Sequence, residues 1–245
     1  MFPRTGQAVT SLLERLGCTV EFPYEQTCCG QITTNTGYFD ETVPMIRSYV
    51  DAFSDYDYVV APSGSCVAAV RDQHTMIAEH IGDKGLERAA AQTSKRTYDL
   101  PEFLVDVLGV TDVGAYFPHS VTYHPSCHGR RLIHLGDRPY QLLKNVRGMT
   151  LVDLPAEEQC CGFGGTFSIK NPDVSAAMAA DKARHVRETG AEYVVAGDNS
   201  CLLNIGGVLS RQNSGVKPIH LAEILANTEE DLSLIHISEP TRLRR

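Results

Sequence analysis

The chain has 245 residues, of which 42% are hydrophobic and 21% are charged, and its formal net charge is −8. This composition is typical of a globular protein, and the acidic balance argues against a nucleic-acid partner, which requires a basic surface. No run of about 18 apolar residues occurs, so the sequence predicts no membrane span and favours a cytoplasmic location. The 8 cysteines favour metal binding or redox chemistry over a disulfide framework.

The first half of the chain predicts alternating helices and strands. A helical pattern over residues 11–16 precedes a strand-like run over residues 18–22, and Cys28-Cys29-Gly30 follows. Apolar residues then recur at helical spacing over residues 43–53. The next segment, Tyr58 to Cys66, begins with a short β-branched run that is typical of a buried strand. The alternation predicts an α/β unit with a parallel sheet.

The second half repeats this order of elements. Its predicted elements are a strand over residues 121–127, a helix over 140–146, a strand over 149–154, a helix starting at 174 and a strand over 193–196. Cys160-Cys161-Gly162 and Cys201 stand where the first half has its own cysteine pair and single cysteine. A duplication of this kind predicts an α/β fold with two tandem Rossmann-like repeats and mainly parallel sheets.

The duplication also predicts the limits of the repeats. Residues 1–115 form the first repeat and residues 116–230 the second, whereas residues 231–245 have no counterpart and are interpreted as a non-native tail. Cys127 also lacks a partner, because the matching position before the first cysteine pair would fall ahead of residue 1. We therefore expect the first repeat to be truncated at its N-terminus by one strand and one cysteine. The alternative is that the first repeat never had a fourth thiol.

Cysteines of the second repeat are the strongest candidates for ligands of a [4Fe–4S] cluster. Four thiolates are the usual ligand set of such a cluster, and the repeat contains Cys127, Cys160, Cys161 and Cys201. Each lies close to the end of a predicted element, and the carboxyl ends of parallel strands converge on one crevice. Gly162 would allow the backbone to pass close to a bulky cluster.

Cysteines of the first repeat predict a second site that is less complete. Cys28, Cys29 and Cys66 supply three thiolates, which either bind a cluster with one open iron or bind nothing. Cys18 has no partner in the duplication and is interpreted as an inert thiol. Thiol–disulfide chemistry without metal, a zinc site and no site at all remain open alternatives, although zinc sites usually use C-x₂₋₄-C pairs.

Polar residues near the cysteines have roles that the sequence leaves open. His124 and His128 are either hydrogen-bond donors or proton carriers beside the cluster, or ordinary surface and capping histidines. Ser63 and Asp198 each precede the last cysteine of a repeat by three positions. They are either ligands or residues that stabilise a turn.

These motifs resemble the cysteine-rich CCG-domain family, which includes the B subunit of heterodisulfide reductase and the iron–sulfur subunit of glycolate oxidase. The similarity covers residues 2–227 and is greatest to the lactate-utilization members of the family. It rests on Gln26-Thr-Cys-Cys-Gly-Gln31, Pro62-Ser-Gly-Ser-Cys66, Tyr123-His-Pro-Ser-Cys-His128, Gln159-Cys-Cys-Gly-Phe-Gly-Gly165 and Asp198-Asn-Ser-Cys201. The reductase motif ends in Cys-x-x-Cys, whereas Ser63 and Asp198 occupy the first of those positions here. The five-thiolate clusters of the reductase are therefore not implied.

The resemblance implies an iron–sulfur electron-transfer subunit of a cytosolic system that oxidises L-lactate to pyruvate. Such a subunit would act with a ferredoxin-like iron–sulfur subunit and a third lactate-utilization subunit, as a non-autonomous part of an oxidoreductase complex. A heterodisulfide reductase-like thiol/disulfide redox subunit and a scaffold stabilised by metal are the alternatives. The sequence contains no flavin or nicotinamide fingerprint, so hydride abstraction would fall to another subunit.

Overall fold

Parallel sheets in both halves of the sequence organise the fold. The computed structural model describes residues 2–230, so the tail predicted over residues 231–245 lies outside the described residues. In the first half, β1 (Val59–Ala61) pairs in parallel with β2 (Thr97–Asp99). The strands of the second half are β3 (Ser120–Tyr123), β4 (Thr150–Val152), β5 (Tyr193–Ala196) and β6 (Lys217–His220). They form a parallel sheet in the order β4-β3-β5-β6. The predicted α/β class with mainly parallel sheets is confirmed.

Helices connect the strands. In the first half they are α1 (Pro3–Arg15), α2 (Gln31–Thr34), α3 (Phe39–Phe53), α4 (Gly64–Ala68), α5 (His74–His80), α6 (Lys84–Ser94) and α7 (Leu100–Glu102). In the second half they are α8 (Cys127–Arg131), α9 (Arg138–Lys144), α10 (Phe167–Lys170), α11 (Pro172–Glu188), α12 (Asn199–Arg211) and α13 (Leu221–Ala226). Single π-helical turns over Ala69–Gln73 and Phe103–Val107 continue α4 and α7. Within residues 2–230, no helix combines the length and the apolar character needed to cross a membrane.

The order of elements agrees with the predicted duplication. In both halves a helix precedes the cysteine pair, a long helix follows it, and a strand then leads to a helix that contains the last cysteine. Each half also has a strand whose last residue opens a helix, namely Asp99 before α7 and His220 before α13. The cysteines of the two halves therefore lie at corresponding places in the fold.

Two strand predictions differ from the structure. Residues 18–22 form no strand, because their counterpart β4 is paired with β3, and the described residues of the first half contain no counterpart of β3. A strand without a neighbour cannot form its ladder of hydrogen bonds. In the second half, β3 ends at Tyr123 rather than at Cys127. The side chain of Ser126 accepts a hydrogen bond from the Gly129 N–H and starts α8 at Cys127.

The largest hydrophobic core joins the two halves of the sequence. Leu12 of α1 lies in one buried cluster with Leu142 of α9 and Leu225 of α13. Arg15, at the end of α1, reinforces this packing by donating to the carbonyl oxygens of Leu225 at 2.8 Å and Ala226 at 2.7 Å. Helix α1 is therefore fixed against α13.

Asp99 introduces a destabilising charge at the end of β2. It is 1% exposed, and both of its carboxylate oxygens lack a hydrogen-bond partner. Burial raises the pKa of Asp99 well above its ordinary range, and Asp198, Glu102 and Cys66 raise it further against the opposing effect of Arg71. The carboxyl group is therefore easier to protonate in the folded chain than in the unfolded chain, where the pKa of aspartate is about 3.9.

We expect Asp99→Asn to stabilise the protein at pH 7. Because the folded-state pKa is raised, the unfavourable contribution of wild-type Asp99 is absent below about pH 4 and grows as the pH rises toward the folded-state value. The stability gained by Asp99→Asn should therefore also increase as the pH rises. Each kcal/mol gained should raise Tm by roughly 2–4 °C. Thermal unfolding followed by circular dichroism between pH 4.5 and 8 measures it. Asp51→Asn, at an exposed position of α3, is the matched control, and an equal gain there would contradict this explanation.

Candidate metal site

The structure brings together the candidate cysteines of the second repeat. Cys127 is the first residue of α8, Cys160 and Cys161 lie in the loop after β4, and Cys201 lies in the first turn of α12. Their thiols form a continuous series of hydrogen-bonding contacts from Cys127 through Cys160 and Cys161 to Cys201. Cys161 and Cys201 are buried, whereas the other two are partly exposed. The group is therefore accessible to solvent at Cys127 and Cys160.

The candidate cysteines of the first repeat also form a group. The thiol of Cys29 is hydrogen-bonded to both Cys28 and Cys66, and Cys28 is exposed to solvent. Cys66 lies in the first turn of α4, as Cys201 does in α12. Cys18 instead packs against the largest hydrophobic core.

Contacts between the thiols divide each group into thiols of lowered and raised pKa. The hydrogen bond from Cys29, together with a smaller contribution from the Gly30 N–H, outweighs the effect of burial and lowers the pKa of Cys28 to about 6. Hydrogen bonds from Cys127 and Cys161 lower the pKa of Cys160 and raise the pKa of both partners. A thiolate, not a thiol, is the metal ligand and the nucleophile. Each group therefore presents an ionised sulfur at neutral pH.

The tight turn that carries each cysteine pair requires glycine as its next residue. Gly162 has φ +85°, and an added Cβ would lie 2.7 Å from the Ser175 carbonyl oxygen and 2.8 Å from Cβ of Met178. Its N–H points back to Cys160 Sγ at 3.4 Å. Gly30 has φ +81°, and an added Cβ there would lie 2.6 Å from Cγ2 of Thr42. Both turns are therefore pressed against the long helix that follows.

Side chains that the sequence analysis did not single out hold the backbone of each pair. Asn204 Nδ2 donates to the Cys161 carbonyl oxygen at 2.8 Å, and His74 Nε2 donates to the Cys29 carbonyl oxygen at 2.8 Å. Asn204 lies one turn beyond Cys201 in α12, so helical spacing was a usable signal for it. His74 lies in α5, in a segment without a counterpart in the second repeat, and no pattern indicated its role.

His124 adds a buried imidazole to the second cysteine group. It follows β3, it is 0% exposed, and one of its ring nitrogens and the sulfurs of Cys161 and Cys201 all lie within 4.8 Å of one another. Burial, together with the positive charge of Lys182, lowers the pKa of His124 to about 3, so the ring is neutral. Lys182 itself donates to the Ala156 carbonyl oxygen at 2.7 Å.

Ser63 and Asp198 are helix caps, and they contact each other. The Ser63 hydroxyl accepts from the Cys66 N–H at 3.4 Å, while Asp198 Oδ1 accepts from the Ser200 N–H at 3.1 Å. The other Asp198 oxygen accepts from the Ser65 N–H and from the Ser63 hydroxyl, both at 3.2 Å. One buried carboxylate therefore links the two helices that present the last cysteine of each repeat.

His128 and close glycine packing also connect the repeats. Gln31 Nε2 of α2 donates to His128 Nε2 of α8 at 3.1 Å. An added Cβ at Gly64 of α4 would lie 3.1 Å from the backbone of Gly129. The elements that carry the first cysteine group thus lie directly against α8, which begins with a cysteine of the second group.

The donors at the second group fit an iron–sulfur cluster. Its members are four thiols, which are the soft ligands that iron–sulfur clusters use. The buried carboxylate of Asp198, three positions before Cys201, already accepts two hydrogen bonds from serine N–H groups and two from serine hydroxyls, so it is not free as a ligand. The N–H of Gly162 already points at a ligand sulfur. The first group offers three thiols of the same kind.

Comparisons with known proteins show which family the chain is similar to. The cysteine-rich domain family, CCG, matches residues 1–71 and 121–206. Lactate utilization protein A of Oceanobacillus iheyensis is 47% identical over 233 residues, which cover 94% of this chain and 93% of that protein. The protein of the same name from Exiguobacterium sp. is 47% identical over 227 residues, which cover 92% and 91%. That from Geobacillus kaustophilus is 46% identical over 226 residues, which cover 91% and 92%.

The fold and the site together define an α/β protein that groups cysteine thiols in each half of a duplicated chain. The chain belongs to the cysteine-rich CCG-domain family. The resemblance inferred from the cysteine motifs is confirmed.

Proposed function

We propose that this protein is an iron–sulfur electron-transfer subunit of a cytoplasmic system that oxidises L-lactate to pyruvate. The observation that supports the proposal is the convergence of Cys127, Cys160, Cys161 and Cys201, a complete set of four thiolate ligands, at one site. The relatives named for lactate utilization supply the metabolic context. We assign a [4Fe–4S] cluster to this site.

Each residue of the second site has its own proposed role. The four thiolates bind the cluster, and the Gly162 N–H donates to the Cys160 sulfur and so limits its negative charge. Asn204 holds the Cys161 carbonyl and keeps the pair in place. When bound, the cluster supplies one-electron transfer. Hydride abstraction from lactate falls to another member of the complex, so we propose a ferredoxin-like iron–sulfur subunit and a third lactate-utilization subunit as partners.

The first cysteine group is proposed as a second cofactor site. Cys28, Cys29 and Cys66 provide three thiolates, and the partly exposed position of the group suits exchange of electrons with a partner. The proposed repeats, residues 1–115 and 116–230, would each then carry one site. The contact between α4, which contains Cys66, and α8, which begins at Cys127, supports the proposal that electrons pass between the two sites.

A heterodisulfide reductase-like thiol/disulfide redox activity is the second candidate function. It is favoured by Cys28, which is exposed and has its pKa lowered to about 6 by the hydrogen bond from Cys29. An exposed thiolate of this kind can attack a disulfide sulfur. Turnover of a disulfide substrate by the isolated protein would support this candidate, and dependence of electron transfer on the partner subunits would support the first.

Measurement of iron and acid-labile sulfide after anaerobic reconstitution tests the cluster assignment. We expect about four iron and four sulfide atoms for each occupied site, with charge-transfer absorption in the visible range. Cys160→Ser combined with Cys161→Ser should remove the iron and sulfide bound at the second site. Cys28→Ser combined with Cys29→Ser should affect only the first site.

Cys18→Ser is the matched control, because Cys18 packs against the core rather than in either group. It should retain the iron, the sulfide and the spectrum of the wild type. Little iron in the wild type, together with thiols that all react with a thiol reagent, would disprove the cluster and leave thiol–disulfide exchange as the function.

A further inference from the structure

His124 is a buried polar residue whose ring has no hydrogen-bond partner. It is 0% exposed, and neither Nδ1 nor Nε2 forms a hydrogen bond. Its backbone is fixed, because the His124 N–H donates to the Val195 carbonyl oxygen at 2.7 Å and extends the pairing of β3 with β5. A buried ring nitrogen without a partner is unfavourable, so its position calls for a binding role.

The surroundings of the ring indicate what the missing partner is. One ring nitrogen lies within 4.8 Å of the sulfurs of both Cys161 and Cys201. The nearby cation, Lys182, already donates to the Ala156 carbonyl oxygen and does not accept hydrogen bonds. Asp198 also acts on the ring, but its oxygens already accept hydrogen bonds from serine N–H and hydroxyl groups. The sulfur atoms of this site are therefore the acceptors that we assign to the imidazole N–H.

We propose that His124 donates its ring N–H to a sulfur atom of the cluster-loaded second site and thereby raises the reduction potential of that cluster. This inference rests on the proposed function. Reduction adds negative charge to the cluster and its thiolates, and an N–H donor at sulfur stabilises that charge. His74, the buried histidine near the first group, already donates to the Cys29 carbonyl oxygen through Nε2. His124 thus makes the second site electronically different from the first.

Redox titration of variants tests the proposal. His124→Leu should bind the same iron and sulfide as the wild type but have a lower midpoint potential at the second site. His124→Gln retains an N–H donor and should recover part of the difference. His128→Leu is the matched control, because His128 is close to Cys127 in α8 but its ring already has Gln31 as a partner. It should leave the potential unchanged.

A measurement on the wild type keeps the proposal testable if His124→Leu does not fold. In protein labelled with ¹⁵N-histidine, pulsed electron paramagnetic resonance of the reduced cluster should show a weak nitrogen coupling, typical of a hydrogen bond. A strong coupling, typical of nitrogen bound to iron, would overturn the proposal in favour of a ligand role. No coupling at all would also overturn it, as would an unchanged potential in His124→Leu.

Failure of the proposed function gives a different result from failure of this inference. If the wild type binds no iron or sulfide, the cluster assignment itself is wrong, and no reduction potential exists to be compared. If the wild type is loaded and Cys160→Ser with Cys161→Ser removes the iron and sulfide bound at the second site, the cluster assignment stands. The potential and the nitrogen coupling then decide the role of His124 alone.

Discussion

Gly162→Ala should destabilise the protein by about 2–5 kcal/mol and abolish loading of the second site. Gly162 has φ +85°, and a left-handed conformation costs a residue with a Cβ about 1–2 kcal/mol. The new Cβ would also lie 2.7 Å from the Ser175 backbone oxygen and 2.8 Å from Cβ of Met178. Overpacking of this kind costs about 1–3 kcal/mol more. Relief of the clash would shift the turn that carries Cys160 and Cys161.

Urea unfolding of the metal-free protein measures the loss of stability, and iron content after reconstitution measures the loss of the site. Gly190→Ala is the matched control, because Gly190 has φ +69° but no atom lies within 4 Å of an added Cβ. Its free energy of unfolding should fall by only about 1–2 kcal/mol because of the left-handed backbone conformation. It should bind as much iron as the wild type. Equal losses in the two variants would show that the close approach of α11 is not what requires glycine at Gly162.

Gly30 provides an internal comparison for the same turn in the first repeat. Its added Cβ would meet Cγ2 of Thr42 at 2.6 Å, which is a side-chain atom rather than a backbone atom. That atom belongs to a buried threonine whose hydroxyl donates to the Tyr38 carbonyl oxygen at 2.8 Å. A Cβ added at Gly30 would therefore clash first with a side-chain atom, whereas a Cβ added at Gly162 would clash first with a backbone oxygen of α11.

The register of the cysteines was predictable because duplication preserves spacing. The matching positions of the two cysteine pairs, and of Cys66 and Cys201 after them, were sufficient to predict that the thiols of each repeat converge. The strand over residues 193–196 was predictable for the same reason, because its β-branched run has a counterpart in the first half. Patterns that occur twice are informative since chance rarely repeats them at the same spacing.

The contacts between the repeats were not predictable from spacing. The sequence placed Asp198 and Ser63 at equivalent positions but could not show that they meet, because this depends on how the two halves pack. The predicted strand over residues 18–22 failed for a related reason, since a strand exists only beside a partner. His74 was missed because the segment that carries it occurs once.

Asp198→Ala should cost about 2–4 kcal/mol and reduce loading at both sites. Loss of a helix N-cap costs about 0.5–2 kcal/mol, and Asp198 caps α12 by accepting from the Ser200 N–H at 3.1 Å. The same carboxylate accepts from the Ser65 N–H and the Ser63 hydroxyl, and buried donors left without a partner cost about 1–3 kcal/mol. Relief of the repulsion between Asp198 and Asp99 returns part of this loss.

Asp198→Ser separates the two roles of the carboxylate. Serine can cap α12, as Ser63 caps α4 in the first repeat, but its shorter side chain should not reach the Ser65 N–H. We expect the serine variant to recover the capping contribution while the contact between the repeats stays broken. A double-mutant cycle between Asp198→Ala and Ser63→Ala, measured by urea unfolding, gives the coupling between the two caps directly.

Asp83→Ala is the matched control, because Asp83 caps a helix but does not connect the two repeats. Asp83 caps α6 by accepting from the N–H groups of Gly85 and Leu86, and it is paired on the surface with Arg47. Its loss should cost about 0.5–2 kcal/mol and leave the iron content of both sites unchanged. If Asp198→Ala costs no more than Asp83→Ala and loads both sites fully, the carboxylate is only a helix cap. If it weakens both sites together, one buried side chain sets the positions of Cys66 and Cys201, and the two sites depend on each other through it.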